Sequence, residues 1–168
     1  MNVSKDDNDL YSISSDGLYQ IQDNDVKCVI TDNIYGYCID SKMHNLYYSR
    51  LDDTGIYMYN TDSCESVKIF EDPEGSQCFT LTYDGEYIWL DDTIYKDAAK
   101  YFNKQSQTLN YTIYQLSKDG ELIARRVLDD DEKIFAIMHG DKTRMFMFSL
   151  KKDAIISVSY THLPSPRD

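Results

Sequence analysis

Proline and glycine are scarce in this 168-residue chain, at 3 and 7, which excludes collagen-like and Pro/Gly-rich low-complexity architectures. No apolar run approaches the roughly 20 residues that a helix needs to cross a bilayer. The first residues, Met1 to Asn8, are polar and acidic and lack the basic and apolar regions of a secretory signal. Cations are also few, 17 Lys and Arg against 29 Asp and Glu, for a net charge of -12. Such a surface repels phosphate, which excludes nucleic acid and anionic membrane as partners and leaves a basic protein, a cation or an uncharged ligand.

Chemistry-bearing motifs are equally thin. The chain has no G-x-S-x-G elbow, no Walker loop and no dinucleotide fingerprint. Its four cysteines, Cys28, Cys38, Cys64 and Cys78, form no C-x-x-C pair and have no histidine at zinc-ligand spacing, so neither a metal nor a cofactor is expected. Cys28, Cys38 and Cys78 lie in apolar runs and read as small core residues. His44 and His139 read as turn or surface histidines, and Asp129-Asp130-Asp131-Glu132, without a calcium loop's ligand spacing, as a solvated turn. The compartment stays open.

What is abundant is tyrosine, 15 in all, a residue suited to the half-buried surface of a sheet. Short apolar runs separated by Asp, Asn, Gly and Ser recur through the chain, as strands do. Residues 9–13, 17–21 and 26–30 are followed in the same order by 45–51, 55–60 and 66–70. Equivalent positions, such as Leu10 and Leu46 or Val26 and Val67, lie about 40 residues apart, the length of a four-stranded propeller blade. Cys38 and Cys78 share that spacing and are expected on equivalent first strands.

Residues 77–81, 86–90, 111–116 and 122–127 make the strands of another unit. Between its second and third strands lies an insertion, in which residues 97–102 could form a helical turn capped by Asp97. Residues 134–138 and 144–150 open a further unit. Tyr87, Ile88, Trp89 and Leu90 are apolar towards both faces, as sheets stacked face to face require. The expected fold is all-β, a β-propeller fragment of three to four four-stranded antiparallel blades at about 9–32, 35–72, 76–130 and 133–157; a β-sandwich is the alternative.

Leu46-Tyr47-Tyr48 with Gly55-Ile56-Tyr57, and residues 112–120, resemble blades of a bacterial propeller family described as similar to the low-density-lipoprotein-receptor-related propellers. The Tyr-Trp-Thr-Asp signature of those receptors is absent, and Tyr87-Ile88-Trp89-Leu90-Asp91 is a loose echo of it. Receptor-like ligand binding is therefore not carried over. Residues 158–168 resemble a translated sequencing adapter, which makes them a non-native tail in the expected domain plan.

In an up-and-down blade, the loop after the second strand and the segment leaving the fourth emerge at one end. Asp52, Asp53, Asp91 and Asp92 fall in the first, and Asp72, Glu74, Asp129, Asp130 and Asp131 in the second. These nine are the candidate binding residues, and no catalytic residue is assigned. The pattern points to a non-catalytic binding or protein-interaction module using an acidic loop face. A truncated propeller enzyme, hydrolase or lyase, is one alternative; a structural spacer in a larger envelope protein is another. A fragment of this kind is also expected to self-associate through open blade faces.

Overall fold

A computed structural model describes residues 3–6, 9–22, 25–92, 111–128, 132–138, 144–149 and 154–159. Every regular element among them is a strand, apart from one 3-10 turn at Ser41–Met43. The chain divides into two compact units, Met1–Leu81 and Thr82–Asp168.

The first unit holds two antiparallel meanders. In one, β1 (Val3–Asp6), β2 (Asp9–Ser14), β3 (Gly17–Gln22) and β4 (Asp25–Ile30) pair in chain order. In the other, β5 (Ile34–Asp40), β6 (Asn45–Arg50), β7 (Gly55–Asn60) and β8 (Glu65–Glu71) do the same. The two sheets share a core of Tyr11, Leu18 and Ile30 from one against Tyr37, Leu46, Tyr48, Tyr57 and Tyr59 from the other. The aliphatic ones, Leu18, Ile30 and Leu46, each contribute about 1.5–3 kcal/mol when fully buried. The Tyr37 hydroxyl donates to the Tyr11 carbonyl oxygen at 2.8 Å and ties the sheets together through this core. The opposite face of the second sheet carries Gly36 and Ser49, and residues 76–81 lie against it. The Ser49 hydroxyl donates to the Phe79 carbonyl at 2.7 Å, and a Cβ on Gly36 would come within 2.6 Å of that same oxygen.

A third sheet joins β9 (Thr80–Tyr83), β10 (Ile88–Asp91), β11 (Thr112–Leu116) and β12 (Leu122–Val127) in the same meander, and the unit boundary falls inside β9. The second unit also contains β13 (Glu132–Met138), β14 (Arg144–Ser149) and β15 (Ala154–Ser159), paired in order.

Burial falls from the inner strands of each sheet to the fourth. β11 is buried at every position, whereas β8 has no buried position and β4 has one, Ile30. In all three four-stranded sheets the third and fourth strands are joined across a register shift, at Leu18/Tyr19, Ile56/Tyr57 and Gln115/Leu116. Each sheet is complete before the chain begins the next. A Greek-key sandwich would instead send strands back and forth between its sheets. The architecture is therefore all-β, built of propeller blades, and the sandwich alternative falls.

Four expectations need correction. The polar start contains β1, whose backbone pairs with β2 from Val3↔Ser12 to Asp6↔Asp9 although it carries a single apolar residue. Cys78 is not on a first strand equivalent to that of Cys38: it precedes β9 with φ 59, in the left-handed region. Cys28 is exposed because β4 is an outermost strand. Val158 and Ser159 close β15, paired with Met145 and Arg144, so the sheet runs past residue 157. The helical turn placed at 97–102 and residues 160–168 lie outside the described residues.

Candidate functional site

Three stretches meet at one end of the second sheet: residues 31–33 entering β5, 51–54 between β6 and β7, and 72–76 leaving β8. Backbone bonds fasten them, Leu51 N–H to the Asn33 carbonyl at 2.9 Å and Asp72 N–H to the Thr54 carbonyl at 3.1 Å. The Cys78 thiol adds a contact to the Leu51 carbonyl at 3.4 Å. Antiparallel order alone puts these segments at one end, and the bonds make that end a single braced surface.

Asp53 is its centre. One carboxylate oxygen accepts the Gly55 N–H at 2.6 Å and the Lys68 ammonium at 3.2 Å; the other accepts the Tyr57 hydroxyl at 2.6 Å. The Tyr57 bond, with the Gly55 and Lys68 donors behind it and against the cost of burial, holds the Asp53 carboxyl below its ordinary range. Burial, and then the bond to Asp53, push the Tyr57 phenol up. Lys68 also reaches Glu71 at 3.7 Å, and the Thr54 hydroxyl donates to Glu71 at 3.1 Å. Arg50 pairs with Asp32 at 2.5 Å, and its guanidinium lies 3.9 Å from the centre of the Tyr57 ring, which stacks on Tyr48.

The predicted acidic residues divide by role. Asp72 is buried, and its carboxylate accepts the Ser76 N–H at 2.6 Å across a turn that Gly75 completes at φ 75. Asp52 and Glu74 are exposed at the same loop end. In the second unit, Asp92 is fully buried and accepts the Thr112 N–H at 2.9 Å, while Asp91 closes β10 half-buried. Asp129, Asp130 and Asp131 lie outside the described residues. At the end of the second sheet, then, Asp32, Asp52, Asp53, Glu71, Asp72 and Glu74 stand against only Arg50 and Lys68.

Sequence reasoning missed Arg50, Tyr57 and Lys68. The available signal was register: Tyr48, Tyr57 and Lys68 are successive partners across β6, β7 and β8. Among the described residues no group of three or more His, Cys, Asp or Glu side chains could hold a metal ion, and no helix is long and apolar enough to cross a membrane.

Consecutive four-stranded meanders, each completed before the next begins and with their loops gathered at the ends, define the class, a β-propeller architecture. No protein-family model matches the chain, and no curated protein matches it. Among solved structures it is similar to the putative TolB of Agrobacterium tumefaciens, at 13% identity and TM-score 0.49, covering 89% of this chain and 59% of that one. It is also similar to TolB of Acinetobacter baumannii, at 10% identity and TM-score 0.47, covering 91% of this chain and 38% of that one. The chain therefore spans less than two thirds of the length of either protein.

Proposed function

We propose that this chain is a non-catalytic binding module that engages the basic surface of a protein partner through the loop end of its second sheet. The observation that carries this reading is the pairing of charge excess with rigidity. Six carboxylates face two cations there, and Arg50 and Lys68 are already engaged with Asp32, Asp53 and Glu71. The exposed carboxylates of Asp52 and Glu74 project from loops held by backbone bonds, and that of Glu71 from the end of β8, so little ordering is needed on binding. Clustered negative charge speeds encounter with a cationic partner and sets its orientation. By the same reading, Asp53 and Asp72 support the scaffold of this end, and Asp92 does the same within the second unit.

An oligolysine peptide, titrated by calorimetry at low and moderate salt, tests the site. Binding is expected to weaken about tenfold in a variant carrying Asp52→Asn, Glu71→Gln and Glu74→Gln. A control carrying Asp25→Asn, Glu65→Gln and Glu121→Gln removes equal charge elsewhere and should bind nearly as the native chain does. Equal weakening in both would reduce the effect to net charge and reject the site.

A further inference from the structure

A concavity lies at the opposite end of the second sheet, where its β5–β6 and β7–β8 turns approach β2 and β3. It is an open cleft of about 250 Å³, below the size of a drug-binding pocket. Its exposed lining is mainly polar, from Gln20, His44, Asn45, Thr61 and Asp62, while Tyr11 and Leu46 are buried beneath it and Ile39 is half-buried at its base.

The lip is fixed from behind by its own backbone. The His44 carbonyl accepts both the N–H of Thr61, at 2.8 Å, and its hydroxyl, at 3.1 Å. Asn60 donates its side-chain amide to the Asn45 Oδ1 at 2.9 Å, and its own Oδ1 accepts the N–H groups of Asp62 and Ser63 at 3.1 and 2.9 Å. The two turns are locked together this way while the His44 ring and the Asp62 carboxylate remain exposed, 3.8 Å apart. His44 itself sits at φ 55, a conformation glycine adopts without penalty and other residues adopt at a cost. An imidazole is thus held on the lip at a position whose backbone favours glycine.

The chemistry of the lining selects the ligand. An anion would meet Asp62 and the field of a chain with net charge -12. A cation would find one carboxylate, already beside an imidazole. What remains is a mixed set: the Asp62 carboxylate and Thr61 oxygen as acceptors, the Asn45 amide nitrogen as donor and the His44 ring as either. Neighbouring hydroxyls match that set, each hydroxyl giving and taking a hydrogen bond. We infer that this cleft binds a neutral polyhydroxylated ligand, a single sugar residue in size. The site is independent of the acidic loop end and differs from it in chemistry.

Ligand-observed saturation-transfer NMR with glucose, galactose, mannose and N-acetylglucosamine tests the inference on the full chain. At least one sugar is expected to bind saturably, with a dissociation constant on the order of 1 mM for so small and open a site. His44→Gly keeps the carbonyl that braces Thr61 and removes the ring, and Asp62→Asn keeps the turn and removes the charge. Each is expected to weaken binding about tenfold while the melting temperature holds. Absence of saturable binding by all four sugars overturns the inference. So does unchanged affinity in both variants, or displacement of the sugar by inorganic phosphate, which would mark an anion site.

Discussion

Three donors on two strands converge on one carboxylate, that of Asp53, and this makes its ionisation a stability term. Its pKa in the folded chain lies below its ordinary value because Tyr57, Gly55 and Lys68 all favour the charged form. The unfolded chain has no such donors and titrates near the usual value of about 3.9. A group whose folded pKa is depressed contributes stability that is full above the unfolded value and is lost as pH falls through the folded one. Asp53→Asn is therefore expected to cost about 1.5–3 kcal/mol in urea unfolding at neutral pH, the range for hydrogen bonds to a charged group. The gap between native and variant should close on acidification below about pH 4. A gap independent of pH would show that the carboxylate's charge is not what the three donors recognise. Asp72 and Asp52 make a second comparison, since both substitutions to alanine remove one charge from the same loop end. Asp72 is buried on the Ser76 N–H, so Asp72→Ala should cost about 1–3 kcal/mol, whereas the exposed Asp52 should stay within about 0.5 kcal/mol. Matched denaturation curves decide it, and equal losses would mean that net charge, not the turn, sets the cost.

Strand order was legible in the sequence because each inner strand combines apolar residues with turn residues at its ends, as 45–51 and 55–60 do. Depth within a blade was not. Alternation reports two faces of a strand and says nothing of its distance from the sheet's buried side, so Cys28 on the outer β4 read like Cys38 on the buried β5. β1 escaped notice because backbone pairing with β2, rather than side-chain pattern, makes it a strand. The sequence reading took the acidic residues as one set and did not separate buried Asp72 from exposed Asp52, although Asp72-Pro73-Glu74-Gly75-Ser76 carries the composition of a turn closed by its first carboxylate. Glycine gives a test at this scale. A methyl group on Gly36 would meet the Phe79 backbone oxygen at 2.6 Å, an atom that cannot swing aside. On Gly55 the nearest atom, at 2.7 Å, belongs to the flexible Lys68 side chain. Gly36→Ala should cost about 1–3 kcal/mol and exceed Gly55→Ala in thermal unfolding. The reverse order would show that residues 76–81 are not held firmly on the second sheet.

For the molecule as a whole, the net charge of -12 does work that the outer strands leave undone. β4 and β8 end their sheets, and an edge strand offers unpaired backbone groups to any other chain. Both expose valine, Val26 at 60% and Val67 at 51%. Local protection is present: Asp25, Lys27, Glu65, Lys68 and Glu71 decorate these strands, and a register shift twists each away from its neighbour. Long-range repulsion between acidic molecules supplements it, and repulsion is the part that salt removes. The Debye length falls from about 10 Å at 0.1 M ionic strength to about 3 Å at 1 M. Light scattering of the purified chain should therefore show mass rising with sodium chloride. Salt also strengthens apolar association of any exposed patch, so the edge needs its own control. Val67→Lys keeps the strand, adds a charge at the edge and lowers the net negative charge by one. If whole-molecule repulsion alone governed association, that variant would associate more readily than the native chain. With β8 as the contact it should associate less at high salt, and a native chain whose mass stays constant from about 0.1 to 1 M would remove the outer edge as a docking surface altogether.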